Sequence, residues 1–171
     1  MSTERVGSFP DLSTLQFLLG TARSLTDRQP EAAIATAQMA FERFVSFAFE
    51  RMLRVRGVEP PLSERISEVV TPSLMDSATR RLWAELTGRQ LKDAPDRAWR
   101  NYTEHVGRRN QMVHAGGRAS PEEASASIDA VKALLNAMLE MARAAEAEVG
   151  TAEPHQRTYG HDKNSSESAA V

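Results

Sequence analysis

The chain has 171 residues, 41% of them hydrophobic, a formal net charge of −2 and no cysteine. That length supports one well-buried domain and is short for two, while the missing cysteine removes disulfide frameworks and thiolate metal sites and points to a reducing compartment. Residues 1–8 lack the apolar core of a signal peptide, and no run approaches the roughly 18 apolar residues of a spanning helix, so a soluble cytoplasmic protein with no membrane partner is expected.

Residues 1–10 read as an N-terminal extension. Pro10 and Asp11 then open a first helix to about Leu25, with Asp11 as its cap and Leu12, Leu15, Leu18 and Leu19 facing inward. After Thr26-Asp27-Arg28-Gln29, Pro30 suits a first helical turn and begins a long helix that runs to Gly57. Ile34, Ala37, Phe41, Val45, Ala48 and Met52 form one stripe of it, and Phe44, Phe47, Phe49 and Leu53 broaden that stripe. A helix apolar over so much of its circumference packs on several neighbours or on a partner chain. It is the hydrophobic centre, and Phe17 is assigned to the same core.

Pro60-Pro61 and Thr71-Pro72 bracket a short helix over Leu62 to Val70, capped by Ser63. A third long helix spans Ser73 to Thr87 through Leu74, Ala78, Leu82 and Leu86, with Gly88 placed to stop it. Asp93 and Pro95 signal the start of a fourth. Ser120-Pro121-Glu122-Glu123 supplies an N-cap, a first-turn proline and a glutamate three residues after the cap, and so starts the last helix. Ala124, Ile128, Val131, Leu135, Met138, Ala142, Ala145 and Val149 keep its three-and-four spacing up to Gly150. Residues 150–171 lose that period and read as a disordered tail. Nothing alternates with the two-residue period of a strand for long enough to argue for a sheet, so the fold class is all-α over residues 11–149.

The fourth helix carries the chemistry. Trp99, Tyr102, Val106 and Val113 mark an apolar stripe with a gap at position 109, which arginine fills. A guanidinium on a buried seam needs a partner, either a carboxylate such as Glu42 or Glu104 or a phosphate. Asn110 and His114, four apart, rise on nearly one face, with Arg109 about 140° from the histidine. Gly107 within the helix suggests a close approach there. Residues 97–118 hold five arginines against one glutamate, whereas residues 119–171 hold nine acids against four bases, so the basic surplus gathers around this stretch. The histidines make no HExxH pattern, and neither phosphate-loop glycine signatures nor a nucleophile elbow occur.

Arg109-Asn110-x-x-x-His114, late in a helix and followed by a Gly116-Gly117 stop and another long helix, resembles the R-x4-6-H motif of HEPN domains. The resemblance covers roughly residues 11–149 by helix order and is specific only in the motif. It implies an antiparallel bundle of four to five main helices with a short extra helix, dimerising across the motif helix. It further implies a metal-independent endoribonuclease of toxin or antiviral type that needs no cofactor, with Arg109, Asn110 and His114 as catalytic residues. Arg100, Arg108 and Arg118 are the candidate RNA contacts. Possible partners are the RNA substrate, a second copy, and a cognate antitoxin or larger effector. Gly116 stands where toxins neutralised by AMPylation carry tyrosine, two positions after the histidine. The alternative is a catalytically inactive HEPN-like module that binds RNA, nucleotide or a protein through the same basic groove.

The composition beyond Gly150 makes the first prediction. Truncation after Gly150 is expected to leave the helical circular dichroism and the melting temperature unchanged. A clear drop in either would show that residues 151–171 dock on the domain.

Overall fold

The computed structural model describes residues 13–69 and 73–151, and among them every regular element is helical. The chain forms α1 (Ser13–Leu25), α2 (Pro30–Val55), α3 (Pro60–Val69), α4 (Ser77–Thr87), α5 (Ala98–Ala115) and α6 (Pro121–Thr151), with 3-10 turns at Leu91–Asp93 and Pro95–Arg97. The all-α expectation is met. No helix among the described residues is long and apolar enough to cross a membrane. Asp11, Leu12, Val70, the extension before α1 and the tail beyond Thr151 lie outside the described residues.

Helix α2 is the common wall of the bundle. Ile34, Ala37, Phe41, Phe44, Val45 and Met52 are fully buried, and Ala48 and Phe49 nearly so. α1 folds back along α2 after a four-residue link, in which Gln29 donates its N–H to the Leu25 carbonyl at 2.8 Å. At one end of α2, Glu31 accepts from the Ala119 N–H just before α6; near the other end, Arg51 donates to Glu146 late in α6, at 2.9 Å from Nη2 to Oε2. The two longest helices therefore run parallel. α5 runs against both, with Phe41 and Tyr102 ring centroids 4.4 Å apart and Arg108 Nε 2.9 Å from Ser127 Oγ. α4 covers the far end of α2, where Phe49 meets Trp83 edge-on at 5.5 Å and Arg56 donates to the Leu86 carbonyl.

This arrangement accounts for the breadth of the apolar surface on α2, because α1, α3, α4, α5 and α6 all pack against it. A partner chain is not needed to cover it. Phe17 does not join the core: it is 71% exposed, and the buried face of α1 is carried by Ala22 with Leu15, Leu18 and Leu19 half-buried.

Several element ends differ from expectation for local reasons. α3 starts at Pro60, so Ser63 is an interior residue whose hydroxyl donates to the Pro60 carbonyl at 3.0 Å. α4 starts four residues after Ser73 because Asp76, in extended conformation, accepts from the Thr79 N–H at 3.0 Å and from its hydroxyl at 3.1 Å. Gly88 ends α4 in the left-handed region at φ 71°, as expected. The Ser120–Glu123 capping box closes reciprocally, at 2.8 and 3.2 Å. Before α5, Asp96 and Arg97 both have positive φ, at 54° and 58°, a conformation that costs an L-residue roughly 1 kcal/mol or more. That turn delivers Ala98 and Tyr102 into the core.

Burial separates two phenylalanines of the same sequence class. Phe41→Ala is expected to cost about 3–5 kcal/mol in urea unfolding, whereas Phe17→Ser is expected to change stability by about 0.5 kcal/mol or less. A loss at Phe17 comparable to that at Phe41 would show that Phe17 is covered in solution.

Candidate functional site

The contact between α2 and α5 sets the motif. The buried stripe of α5 passes through Ala98, Tyr102 and His105, then through half-buried Arg109 and Met112. This differs from the expected stripe: Val106 is half-buried and Val113 is 58% exposed, while His105, absent from the apolar pattern, is fully buried. The step from His105 to Arg109 is one helical turn, so position 109 does lie on the seam.

His105 is held by a polar chain between the two helices. Glu42 Oε1 accepts from Gln38 Nε2 at 2.8 Å, and Gln38 Oε1 lies 2.9 Å from His105 Nε2. Glu42 accepts only, which orients the Gln38 amide; its oxygen then faces the ring, so Nε2 of His105 carries the proton. Nδ1 is buried without a hydrogen-bond partner. Burial foremost, and then the Arg108 and Arg109 guanidiniums, lower His105 from its ordinary 6.5 to about 4. Its ring is neutral at physiological pH. Burial also raises the Tyr102 hydroxyl well above the usual phenol range, against the effect of a hydrogen bond from the Gln38 side chain.

Arg109 pairs with neither expected carboxylate. Glu42 is engaged by Gln38, and Glu104 accepts from Arg100 Nε at 3.3 Å on its own helix. Half-buried, Arg109 keeps its charge near water and donates from Nη1 to Asn110 Oδ1 at 3.2 Å. Among the described residues no carboxylate forms an ion pair with it. That hydrogen bond turns the guanidinium towards the Asn110 face, which His114 shares one turn later. His114 is exposed in the last turn of α5, before Gly116 closes the helix at φ 63°. Gly107 is not crowded within the chain: a Cβ there would meet nothing within 4 Å.

The three candidate RNA-contacting arginines do not form one patch. Arg108 and Arg118 border a notch of about 30 Å³ with Gln111, Met112 and Glu123, but Arg108 is engaged by Ser127. Arg118 lies close enough to Glu31 to help lower that carboxyl, although the Glu31 and Ala119 backbone N–H groups do more. Arg100 sits eight residues earlier, about 12 Å along the helix, and is tied to Glu104. Net charge along the sequence overstated the local positive potential, since it left out acids that tertiary packing brings in from α2 and α6. Among the described residues, no three His, Asp or Glu side chains are grouped so as to hold a metal ion. Comparison with family models, with curated proteins and with solved structures finds no match to this chain.

The buried His105 gives a pH dependence with a definite sign. The unfolded chain takes up this proton near 6.5 and the folded chain only near 4, so its stabilising contribution is complete above 6.5 and is lost as pH falls towards 4. The loss reaches about 3 kcal/mol at most. Glu31, Asp76 and Glu122 are lowered from ordinary values of 4.5, 3.8 and 4.5, so their contributions begin to fade only at the acid end of this window and are lost below it. His105→Gln is expected to flatten the dependence of the urea midpoint on pH between 6.5 and 4.5. An unchanged slope would place its origin elsewhere.

Proposed function

We propose that the chain is a HEPN-like, metal-independent endoribonuclease acting at the end of α5. The observation that carries this reading is the half-buried Arg109, which has no carboxylate partner among the described residues and is turned by Asn110 towards the face where His114 meets solvent. An arginine so placed can donate two parallel bonds to a phosphate. An exposed histidine can transfer protons near neutral pH.

In the proposed reaction the substrate 2′-hydroxyl attacks the adjacent phosphorus, forming the 2′-O–P bond as the P–O5′ bond breaks. The 2′ proton passes to a base, and the departing 5′-oxygen receives one from an acid. Arg109 stabilises charge on the phosphorane-like transition state, and Asn110 holds the guanidinium or the phosphate. His105 takes no part, because it is buried and neutral. With one exposed histidine per chain among the described residues, two acid-base groups require a second copy. The exposed Val113 beside His114 offers an apolar contact for that copy.

The second reading is a HEPN-like binding module without catalysis, for RNA, nucleotide or a protein partner such as an antitoxin. It is favoured by α2 being covered within its own chain, which removes the broad apolar surface as a reason for dimerisation.

His114→Ala is expected to lower cleavage of total RNA by about 100-fold or more without loss of folding. Arg109→Ala is expected to do the same, and Arg109→Lys to restore little, since it keeps charge and loses the planar fork. Products are expected to end in 2′,3′-cyclic phosphate in the presence of EDTA, and light scattering to give about twice the 18.9 kDa chain mass. Full activity in His114→Ala would overturn the assignment. A well-folded protein that cleaves no RNA would favour the binding module.

A further inference from the structure

A second basic site lies well away from the motif, where α4, the first 3-10 turn and the start of α5 meet. The concavity there has a volume of about 290 Å³, near the lower end of small-molecule sites. Its apolar side is formed by Ala84, Leu91 and the half-buried indole of Trp99. Its polar side is formed by Arg80, Arg81, Gln90 and Lys92, and no carboxylate among the described residues lines it.

The cations have different duties. Arg80 is structural: Nη1 donates to the Leu74 carbonyl at 2.8 Å and to the Met75 carbonyl at 2.6 Å, and its guanidinium carbon lies 5.7 Å from the Trp99 ring centroid. That contact steadies the indole. Arg81 and Lys92 are exposed, and neither has a carboxylate partner among the described residues. Gln90, also exposed, offers an amide donor and acceptor beside them.

A bare anion would leave the indole unused, and an apolar ligand would leave two unpaired cations facing it. A ligand with a flat aromatic part and a phosphate satisfies both sides. We propose that this concavity binds a nucleotide, with the base against Trp99 and the edge of Gln90, and the phosphate between Arg81 and Lys92. The nucleotide is either free or one unit of a single strand. The site lies about 15 Å along α5 from Arg109, and the proposal does not rest on the ribonuclease reading.

The test uses the full chain and tryptophan fluorescence. Adenosine 5′-monophosphate and a 2′-O-methyl hexanucleotide, which has no free 2′-hydroxyl to attack, are titrated separately, with inorganic phosphate and adenosine as controls. Saturable quenching by the monophosphate or the hexanucleotide, at least tenfold tighter than by either control, is expected. The double variant Arg81→Glu, Lys92→Glu is expected to weaken binding about tenfold or more with an unchanged melting curve, because both side chains are exposed. Trp99→Leu is expected to remove the quench and weaken binding measured by calorimetry. Displacement of the monophosphate by the hexanucleotide would identify a strand unit, and binding of the monophosphate alone a free nucleotide. The assignment is overturned if neither ligand binds at millimolar concentration, if inorganic phosphate binds as tightly as the nucleotide, or if the charge reversals leave affinity unchanged in a folded protein. Loss of RNA cleavage in His114→Ala with nucleotide binding intact would separate this site from the motif.

Discussion

The buried polar contact of the bundle lies on one surface, the face of α2 that receives α5. Phe41 against Tyr102 supplies the apolar part, and Gln38 between Glu42 and His105 supplies the polar part. Together with the packing of α5 on α6, they fix the rotation and the height of α5, since a buried hydrogen bond is directional where an apolar contact alone would tolerate sliding. Arg109 and His114 take their positions from that register, about one turn and about two and a half turns beyond His105. The candidate site at the end of α5 is therefore held in place by residues that lie outside it.

Charge is distributed so that the arginines near the motif coexist with a buried imidazole. A third positive charge at His105, beside Arg108 and Arg109, would be poorly solvated and repelled, so the ring gives up its proton. Its unpartnered Nδ1 is a further cost, of about 1–3 kcal/mol by analogy with other buried acceptors left without a donor. The same helix thus contains one histidine that burial keeps neutral and one that is exposed. Residue type alone does not distinguish them.

Basic residues also serve two architectural purposes. Arg51 and Arg56 tie α2 to its neighbours through Glu146 and the Leu86 carbonyl, and Arg80 holds the turn before α4. Arg81, Lys92 and Arg109 make no such ties to carboxylates among the described residues. Positive charge is left over at these three positions after the fold has used what it needs elsewhere.

The amino-acid sequence by itself determined the helical class, the boundaries of α2 and α6, the Ser120–Glu123 cap and the Gly88 and Gly116 stops. Each of these follows from interactions within a few residues of the chain, such as three-and-four spacing, a reciprocal cap or the low cost of a positive φ at glycine. It also placed Arg109 on the α5 seam and Asn110 and His114 on a shared face, because helix geometry alone relates them. Only the tertiary structure decided that α2 and α6 run parallel, that Phe17 faces solvent, and that His105 is buried. It also decided that Arg109 bonds to Asn110 rather than to Glu42 or Glu104, and that Arg81, Lys92 and Trp99 line one concavity. The physical reason is the same in each case: these outcomes depend on which surfaces meet across long stretches of chain, and no local spacing records what an opposing helix will bring.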